Sequence, residues 1–307
     1  MSATAHIRAP APALLDQRKS SSGWRPFRLP VYGWYLLPLL VGTTLVVAVP
    51  LGYSFYLSFQ RFNLSQPYLG LTYVRLDNYI AAFRDASVLA SIKVTLEYLS
   101  GSLLGEILIG FALALLLNQR LPGLRVFRVL LIMPLMLTPA AVGMVWKLFY
   151  SSGGIVNYLL ETIGLSPVNW FSSNTALLSV IIVSVWQNFP FAFLVFSAGM
   201  QTIPPTLIEA AQIDGASRWR IFCQITLPLM QIFIITVLII RTTNILRYVD
   251  LIFTLTSGGP GRATESFAFL IYTNAFSLFE MGYGSALSFL LIALSFGIGL
   301  VYMKFIR

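Results

Sequence analysis

Polar and charged side chains lie inside a long apolar stretch of this chain, where they could bind a hydrophilic solute. Arg241, Asn244, Arg247 and Asp250 all occur in one such run. A charged side chain at the centre of a membrane span costs about 2.5–3.5 kcal/mol, so such residues face a bundle interior or water. The spacing puts Arg241, Asn244 and Tyr248 on one helical face, and Arg247 can pair with Asp250. Internal ion pairs that only fix helix packing are the alternative role for these charges.

A second polar group lies in an earlier apolar run, at Ser184, Gln187 and Asn188. Amide groups can donate to and accept from hydroxyls, and the neighbouring Trp186 offers an aromatic surface for the C–H face of a sugar. Pro190 follows, and because it lacks a backbone N–H it can kink the helix. The combination favours a hydroxyl-rich solute.

For three charged residues near the start of the apolar core, a structural role is favoured over a role in transport. Lys93 and Glu97 are four residues apart and predict an ion pair at the membrane boundary. Glu106 lies deeper and should face another helix rather than lipid, with a structural role favoured over a transport role.

Residues for enzymatic chemistry are scarce. The only histidine is His6, the only cysteine is Cys223, and none of the four lysines follows a glycine. A Ser-His-Asp triad, a multi-histidine metal site and the phosphate-binding G-K-[ST] signature are therefore excluded. We expect no catalytic residues, metal ligands or cofactor on this chain, so any ATP and Mg²⁺ would bind a partner.

The composition requires lipid around the protein. Of its 307 residues, 57% are hydrophobic and only 10% are charged, with a mean hydropathy of +0.79, against about 45–50% and 25% in soluble domains. A span needs about 20 apolar residues. The sequence predicts an all-α integral membrane protein with six transmembrane helices, at about Val31–Phe59, Ser91–Leu117, Val126–Tyr150, Thr175–Met200, Leu229–Thr256 and Gly284–Phe305.

The net charge of +9 comes from basic residues that flank the apolar runs. Basic residues in these positions set the orientation of the protein in the membrane and do not indicate nucleic-acid binding. With a cytoplasmic N-terminus, twelve Lys and Arg residues fall inside and five outside or at the outer boundary, which favours both termini inside. The predicted organisation is a basic cytoplasmic tail (1–29), a first span with an external loop (30–90) and a transmembrane core (91–307). The external loop should contain a short amphipathic helix near Leu76–Phe83.

The cytoplasmic loop 201–228 predicts two short helices joined at a glycine. Thr206 and Glu209 have the spacing of a capping box, and Pro204 and Pro205 can precede or open the first helix. Gly215 supplies a left-handed stop, and Ser217 can cap the second helix.

The same loop carries a resemblance to a known family. The loop resembles the coupling loop of the type I ABC importer permeases. The resemblance lies in the pattern Glu209-Ala210-Ala211, three residues, Gly215, nine residues, Ile225, one residue and Leu227-Pro228. The resemblance implies a cytoplasmic coupling helix that docks on a separate ATPase, two ATPase subunits, a second homologous permease and an external substrate-binding protein. The residues it implies for coupling are Glu209, Ala210, Ala211, Asp214, Gly215, Leu227 and Pro228.

Further segments resemble the carbohydrate branch of that family, namely 255–265, 282–287 and 186–190. The branch also includes permeases for glycerol 3-phosphate. Aligned on the loop, the family's sugar site falls on positions in the fourth and fifth spans. Arg241 is charged and Ile245 apolar where small polar groups are expected, which leaves room for an anionic solute. The implied cavity residues are Ser184, Gln187, Asn188, Phe191, Arg241, Asn244, Ile245 and Tyr248.

Two other classes remain as alternatives. A secondary transporter or channel of similar span count would work without ATP and would not need the cytoplasmic loop; such proteins often contain inverted repeats, and none is clear in this sequence. A membrane enzyme is disfavoured by the absence of paired catalytic groups and of a histidine inside the apolar region.

Overall fold

The computed structural model describes residues 31–118 and 123–306. The predicted basic tail lies outside them.

The chain divides into two compact units, Met1–Pro50 and Leu51–Arg307, and the site described below belongs to the second. The helices are α1 Val31–Ser58, α2 Asp77–Arg84, α3 Ala86–Leu116, α4 Leu124–Ile132, α5 Pro139–Phe149, α6 Ile155–Thr162, α7 Ala176–Gln201, α8 Pro205–Ile213, α9 Arg218–Ile221, α10 Leu227–Ile245, α11 Asp250–Leu255, α12 Phe267–Tyr272 and α13 Met281–Ile306.

Four short helical segments and two strands complete the secondary structure of the described residues. Two are single 3₁₀ turns, at Pro67–Leu69 and Met133–Met136. Two are π-helical, at Phe222–Thr226 and Thr273–Ser277. The strands β1 (Gln60–Arg61) and β2 (Thr72–Tyr73) pair antiparallel, with Gln60 opposite Tyr73.

The predicted membrane-spanning fold is confirmed, with one broken span. Within the residues that the structure describes, five helices are long and apolar enough to cross a membrane, and there are six spans if a bent pair is counted as one. The bend is 99° between Val126–Met136 and Pro139–Phe149. Thr138 before Pro139 is extended, with ψ 141°, because proline disfavours the α region in the residue before it. The third predicted span is therefore not one straight helix.

The fifth predicted span also ends earlier than expected. It was predicted to reach Thr256, but α10 ends at Ile245 and α11 begins at Asp250. The backbone N–H groups of Arg247 and Tyr248 bond carbonyls three residues back, those of Asn244 and Ile245. No glycine or proline interrupts this turn, so the usual helix-breaking signals were absent.

The pair α3 and α7 forms the closest helix packing around the site, and three glycines permit it. A Cβ atom on Gly101, Gly105 or Gly110 would lie 2.7–2.8 Å from a side-chain atom of α7. Gly101 and Gly105 form a G-x-x-x-G spacing, which lets membrane helices approach closely.

The segment between α1 and α3 contains the predicted short helix. It is α2, Asp77–Arg84, which confirms the prediction near Leu76–Phe83. The two-residue strands that precede it were not predicted, because they are too short to show an alternating pattern. Because β1 and β2 pair antiparallel, the residues between the two strands form the loop of a hairpin.

Candidate functional site

The first helix of the loop 201–228 begins at a proline rather than at the predicted cap. Pro205 occupies the first helical position of α8, and Pro204 precedes it without a side-chain cap bond. The prediction of a capping box from Thr206 and Glu209 is wrong, because Thr206 already lies within the first turn. Proline suits this position, since its φ is preset and its missing N–H would have no helical partner.

The glycine joint of the loop has the predicted geometry. Gly215 has a φ of +77°, in the left-handed region. The N–H of Ala216 donates to the carbonyl of Ala211 at 2.9 Å, and that of Gly215 to the carbonyl of Gln212 at 3.1 Å. These two bonds form a Schellman motif that closes α8. Ser217 Oγ then accepts from the Arg220 N–H at 3.3 Å and caps α9, as predicted.

The loop is exposed. α8 has no buried residue, and Ile213 and Trp219 are 87% and 72% exposed. Large apolar side chains grouped on a polar loop indicate a protein-binding surface. Of the predicted coupling residues, Ala211 is half-buried and the others are exposed: Glu209, Ala210, Asp214, Gly215, Leu227 and Pro228.

The loop continues directly into two spans. Three residues separate the end of α7 at Gln201 from the start of α8 at Pro205. The π-helical segment Phe222–Thr226 joins α9 to α10 without a break. Apolar residues from Arg218 to Ile245 form a single candidate span. A displacement of the loop would therefore be transmitted to α7 and α10.

A cavity of about 390 Å³ lies between α7 and α10. It contains five of the eight predicted cavity residues and two that were not predicted, Leu135 and Arg247. The two additions come from the bend before α5 and from the turn after α10, which sequence reasoning had missed. The full lining is Leu135, Asn188, Phe191, Arg241, Asn244, Arg247 and Tyr248.

The other three predicted residues do not line this cavity. Ser184 Oγ accepts from the Tyr98 hydroxyl at 3.1 Å, and Ile245 is buried in the apolar core. Gln187 Nε2 donates to the carbonyl of Leu137 at 2.9 Å, which lies at the break in the third span. Gln187 thus satisfies a carbonyl that the broken helix leaves without a helical partner.

Arg241 forms a buried ion pair with Glu106 of α3. Its Nε and Nη2 donate to the two carboxylate oxygens at 2.6 and 2.8 Å, and the two side chains are 4% and 0% exposed. The structure thus has the internal ion pair that was the alternative for Arg241, and Glu106 faces another helix as predicted. The Lys93–Glu97 boundary pair is also present, at 3.8 Å.

The predicted pairing of Arg247 with Asp250 is wrong. Arg247 instead donates to the Thr243 carbonyl at 3.1 Å and to Asn244 Oδ1 at 3.3 Å. The turn after Ile245 replaces the helical geometry that the three-residue spacing assumed. Arg247 therefore lines the cavity as a cation with no carboxylate partner in the described part of the chain.

The described residues contain no candidate metal site. Within residues 31–118 and 123–306, no group of three or more His, Cys, Asp or Glu side chains could hold a metal ion. The cavity offers two amides, two aromatic rings and two guanidinium groups, of which one is neutralised. This set can hydrogen-bond hydroxyls and pack a sugar ring.

Comparisons with known proteins agree with these features. Residues 106–306 match the family described as "Binding-protein-dependent transport system inner membrane component". The chain is 38% identical to a probable ABC transporter permease protein, y4oQ, of Sinorhizobium fredii, with 87% of each covered. It is 37% identical to the trehalose/maltose permease MalF of Thermococcus litoralis, with 88% of this chain and 91% of that protein covered.

Two further likenesses extend the comparison. The glycerol-3-phosphate permease UgpA of Yersinia pestis is 31% identical over 94% of this chain and 95% of its own. Among solved structures, a chain of a bacterial ABC transporter that imports the acidic polysaccharide alginate superposes with a TM-score of 0.75 at 24% identity. That superposition covers 89% of this chain and 95% of the other, and it shows the same fold.

Proposed function

The chain belongs to the family of binding-protein-dependent transport system inner membrane components, and from this premise we propose that it translocates a sugar or a sugar-like solute. Members of this family are multi-pass permease subunits of ABC importers in the inner membrane rather than enzymes. The substrate, the coupling residues and the remaining subunits are the parts that we propose for this chain.

One observation carries the proposal: the exposed loop joins the two helices whose polar residues line the cavity. An ATPase that binds α8 would move α7 and α10 together when it changes conformation. We assign the contact to Glu209, Ala210, Ala211, Asp214 and Gly215, with Leu227 and Pro228 starting the helix that receives the motion. ATP binding would thereby bias a switch between an inward and an outward opening of the cavity.

The assembly follows from this assignment. Two ATPase subunits would bind ATP and Mg²⁺, a second, similar permease would complete the pathway, and an external protein would deliver the solute. The excess of Lys and Arg on the side of the loop supports cytoplasmic termini. The layout stays as proposed from the sequence: a tail at 1–29, a first span with an external loop at 30–90 and a core at 91–307.

A neutral, hydroxyl-rich solute fits the cavity best. Asn188 and Asn244 can bond hydroxyls, and Phe191 and Tyr248 offer ring faces. Arg241 is less available to an anion, because both oxygens of Glu106 already accept from it. The second candidate is an anionic solute such as glycerol 3-phosphate, favoured by the unpaired Arg247 and by the likeness to UgpA.

The test is uptake of labelled sugars by the complete importer reconstituted in liposomes. Uptake should require ATP on the side of the loop, and Asn188→Ala should raise the substrate concentration for half-maximal uptake several-fold. The control is Thr236→Ala, on α10 outside the cavity lining, whose hydroxyl donates to the Ile232 carbonyl at 2.7 Å. Uptake that proceeds without ATP would instead identify a secondary transporter, and competition by phosphorylated solutes alone would favour the anionic candidate.

A further inference from the structure

One side chain of the cavity, Arg247, holds both the end of α10 and one of the two cavity amides. Its Nε donates to the Thr243 carbonyl at 3.1 Å, and its Nη2 donates to Asn244 Oδ1 at 3.3 Å. Both acceptors are uncharged, and both lie in the last turn of α10. The guanidinium is therefore engaged within the chain, although it has no ion-pair partner among the residues that the structure describes.

The bond to Thr243 compensates for the break after α10. In a continuing α-helix, the Thr243 carbonyl would accept from the backbone N–H of Arg247, four residues further on. That N–H donates instead to the Asn244 carbonyl at 3.1 Å, and the side chain of Arg247 takes its place at Thr243. The guanidinium thus bonds a carbonyl at the C-terminal end of the helix, where a cation is also favoured by the helix dipole.

The bond to Asn244 decides which atom of that amide a solute can meet. A side-chain amide has one acceptor oxygen and two N–H donors, and its orientation follows from its hydrogen bonds. Because Oδ1 of Asn244 accepts from the guanidinium, Nδ2 is the group that remains to bond a solute. A charged donor on the oxygen also polarises the amide and strengthens donation from its nitrogen.

Asn188, which lines the same cavity from α7, is held in the reverse sense. Its Nδ2 donates to the Ser184 carbonyl at 2.9 Å, one turn earlier on the helix, which leaves Oδ1 to accept from a solute. The amide of Asn244 lines the cavity from α10. One helix therefore offers an acceptor and the other a donor, and this combination suits a pair of hydroxyl groups on a sugar ring.

The surroundings of Arg247 disfavour a solute anion as its partner. Arg247 also lines a larger groove of about 810 Å³, and Asp250 lines the same groove. The carboxylate of Asp250 would repel an anion that approached from this side. The rest of that groove is largely aromatic and aliphatic, with Phe253 and Phe276 among its lining residues. The guanidinium is thus better placed to orient its neighbours than to bind a charge on the solute.

We propose that Arg247 is a positioning residue, which fixes Asn244 as a hydrogen-bond donor to the solute and does not itself bind a charge on it. The proposal rests on the proposed function, because it assigns a role within the cavity for a sugar-like solute. It adds the group that is recognised, a pair of hydroxyls bonded by Asn188 Oδ1 and Asn244 Nδ2. The solute class that it names is a neutral sugar.

The first experiment is a double-mutant cycle on uptake by the complete importer in liposomes. The probe is the labelled sugar that the unmodified importer takes up, supplied at saturation so that the rate reports the permease. Arg247→Gln and Asn244→Ala should each lower the rate about three- to tenfold, the loss expected for one hydrogen bond. In the Asn244→Ala background, Arg247→Gln should have almost no further effect, because no amide is left to orient. Arg84→Gln makes the same charge change on α2, outside the cavity, and should leave the rate unchanged.

The second experiment separates orientation of the amide from support of the fold. In Asn244→Asp, the side chain keeps an oxygen for Arg247 but has no N–H donor. Uptake should therefore fall as far as in Asn244→Ala, while the thermal unfolding midpoint of the purified importer stays at or above that of the unmodified protein. A purely structural role of this contact would instead leave uptake intact wherever the midpoint is retained.

Additive losses in the cycle would overturn the proposal, because Arg247 would then contact the solute itself. So would normal uptake by Arg247→Gln or by Asn244→Asp, or an equal loss in Arg84→Gln. These results would leave ATP-driven sugar uptake by the unmodified importer in place, and with it the proposed function. An unmodified importer that takes up only anionic solutes, or no solute with ATP, would instead overturn the sugar assignment together with this proposal, so the two failures are distinguishable.

Discussion

Arg241 on α10 is joined to Glu106 on α3 by two hydrogen bonds of 2.6 and 2.8 Å, across 135 positions of the sequence. Both side chains are buried, and Arg241 also lines the cavity between α7 and α10. The pair therefore connects α3 to α10, the helix that follows the loop 201–228. It also keeps a full positive charge from facing the cavity without a counter-ion.

Removing one partner of this pair should be more harmful than removing both. Glu106→Gln leaves the guanidinium buried without its carboxylate, and breaking a buried pair costs about 3–5 kcal/mol. The Glu106→Gln, Arg241→Gln double variant should be less destabilised than the sum of the two single variants. The measurement is a double-mutant cycle on thermal unfolding of the purified importer.

The control for this cycle is Glu97→Gln. Glu97 pairs with Lys93 on an exposed part of α3, where an ion pair contributes about 0–1 kcal/mol. If Glu106→Gln were no more destabilising than Glu97→Gln, or if the two buried substitutions were strictly additive, the pair would not have the structural role assigned to it.

The comparison of sequence with structure shows which features are local. Gly215 was predicted correctly because the need for a positive φ is a property of one residue and its helix end. Arg241, Asn244 and Tyr248 were predicted on one face and all line the cavity; helical spacing accounts for the first two, whereas Tyr248 lies in the turn after α10. Glu106 was predicted to face a helix, but its partner could not be found, because the pairing depends on how α3 and α10 pack.

The misses have a common physical origin in breaks of regular structure. The pairing of Arg247 with Asp250 assumed that α10 continues, but a turn without glycine or proline ends it at Ile245. Gln187 was predicted as a cavity residue, and that role stays a prediction; its bond to the Leu137 carbonyl at the bend was not predicted. A hydropathy average does not locate such breaks, because it is taken over a window of about 19 residues that includes both sides.

The glycines of α3 give a prediction about helix packing. A Cβ at Gly110 would lie 2.7 Å from Ala192 Cβ and 2.9 Å from the backbone nitrogen of Phe193. Backbone cannot move aside locally, so Gly110→Ala should destabilise the protein by about 1–3 kcal/mol, as overpacking does. The measurement is the thermal unfolding midpoint of the purified importer.

Gly101→Ala is the matched control. Its Cβ would first meet the terminal Cδ1 of Ile181 at 2.8 Å, and a flexible side chain can rotate away. The cost of Gly101→Ala should therefore be clearly smaller than that of Gly110→Ala. Equal costs, or a stabilising Gly110→Ala, would contradict the close approach of α3 to α7.

The joint at Gly215 gives a prediction about coupling. Proline fixes φ near −65°, which is incompatible with +77°, and it removes the N–H that donates to Gln212. Gly215→Pro should abolish ATP-driven uptake, while the span helices still insert. Uptake and ATP hydrolysis are measured separately in liposomes, and size-exclusion chromatography reports whether the subunits still assemble.

Gly215→Asn separates the effect of the backbone conformation from the effect of adding a side chain. Asparagine tolerates the left-handed region, and a Cβ at Gly215 meets nothing within 4 Å. This variant should retain most of the uptake. If Gly215→Pro transported normally, or if Gly215→Asn failed as completely as proline, the glycine joint would not be the coupling element.

A charged group outside the spans gives a prediction about pH. Asp85 caps α3 by accepting from the Ser87 N–H at 2.8 Å, and it accepts from the Tyr283 hydroxyl at 3.2 Å. Burial alone would raise the pKa of Asp85. The hydrogen bonds from Ser87 and Tyr283 and the positive charge of Arg262 outweigh burial and hold the pKa below its ordinary value of 3.8.

The sign of the effect follows from this lowered pKa. The charged form of Asp85 is favoured in the folded state, so its stabilising contribution is full above pH 3.8 and is lost as the pH falls through the lower folded value. Asp85→Asn keeps a capping side chain but removes the charge. Its deficit in unfolding temperature should be constant above about pH 5 and should disappear at lower pH. A deficit in Asp85→Asn that grew on acidification would contradict the assigned contacts.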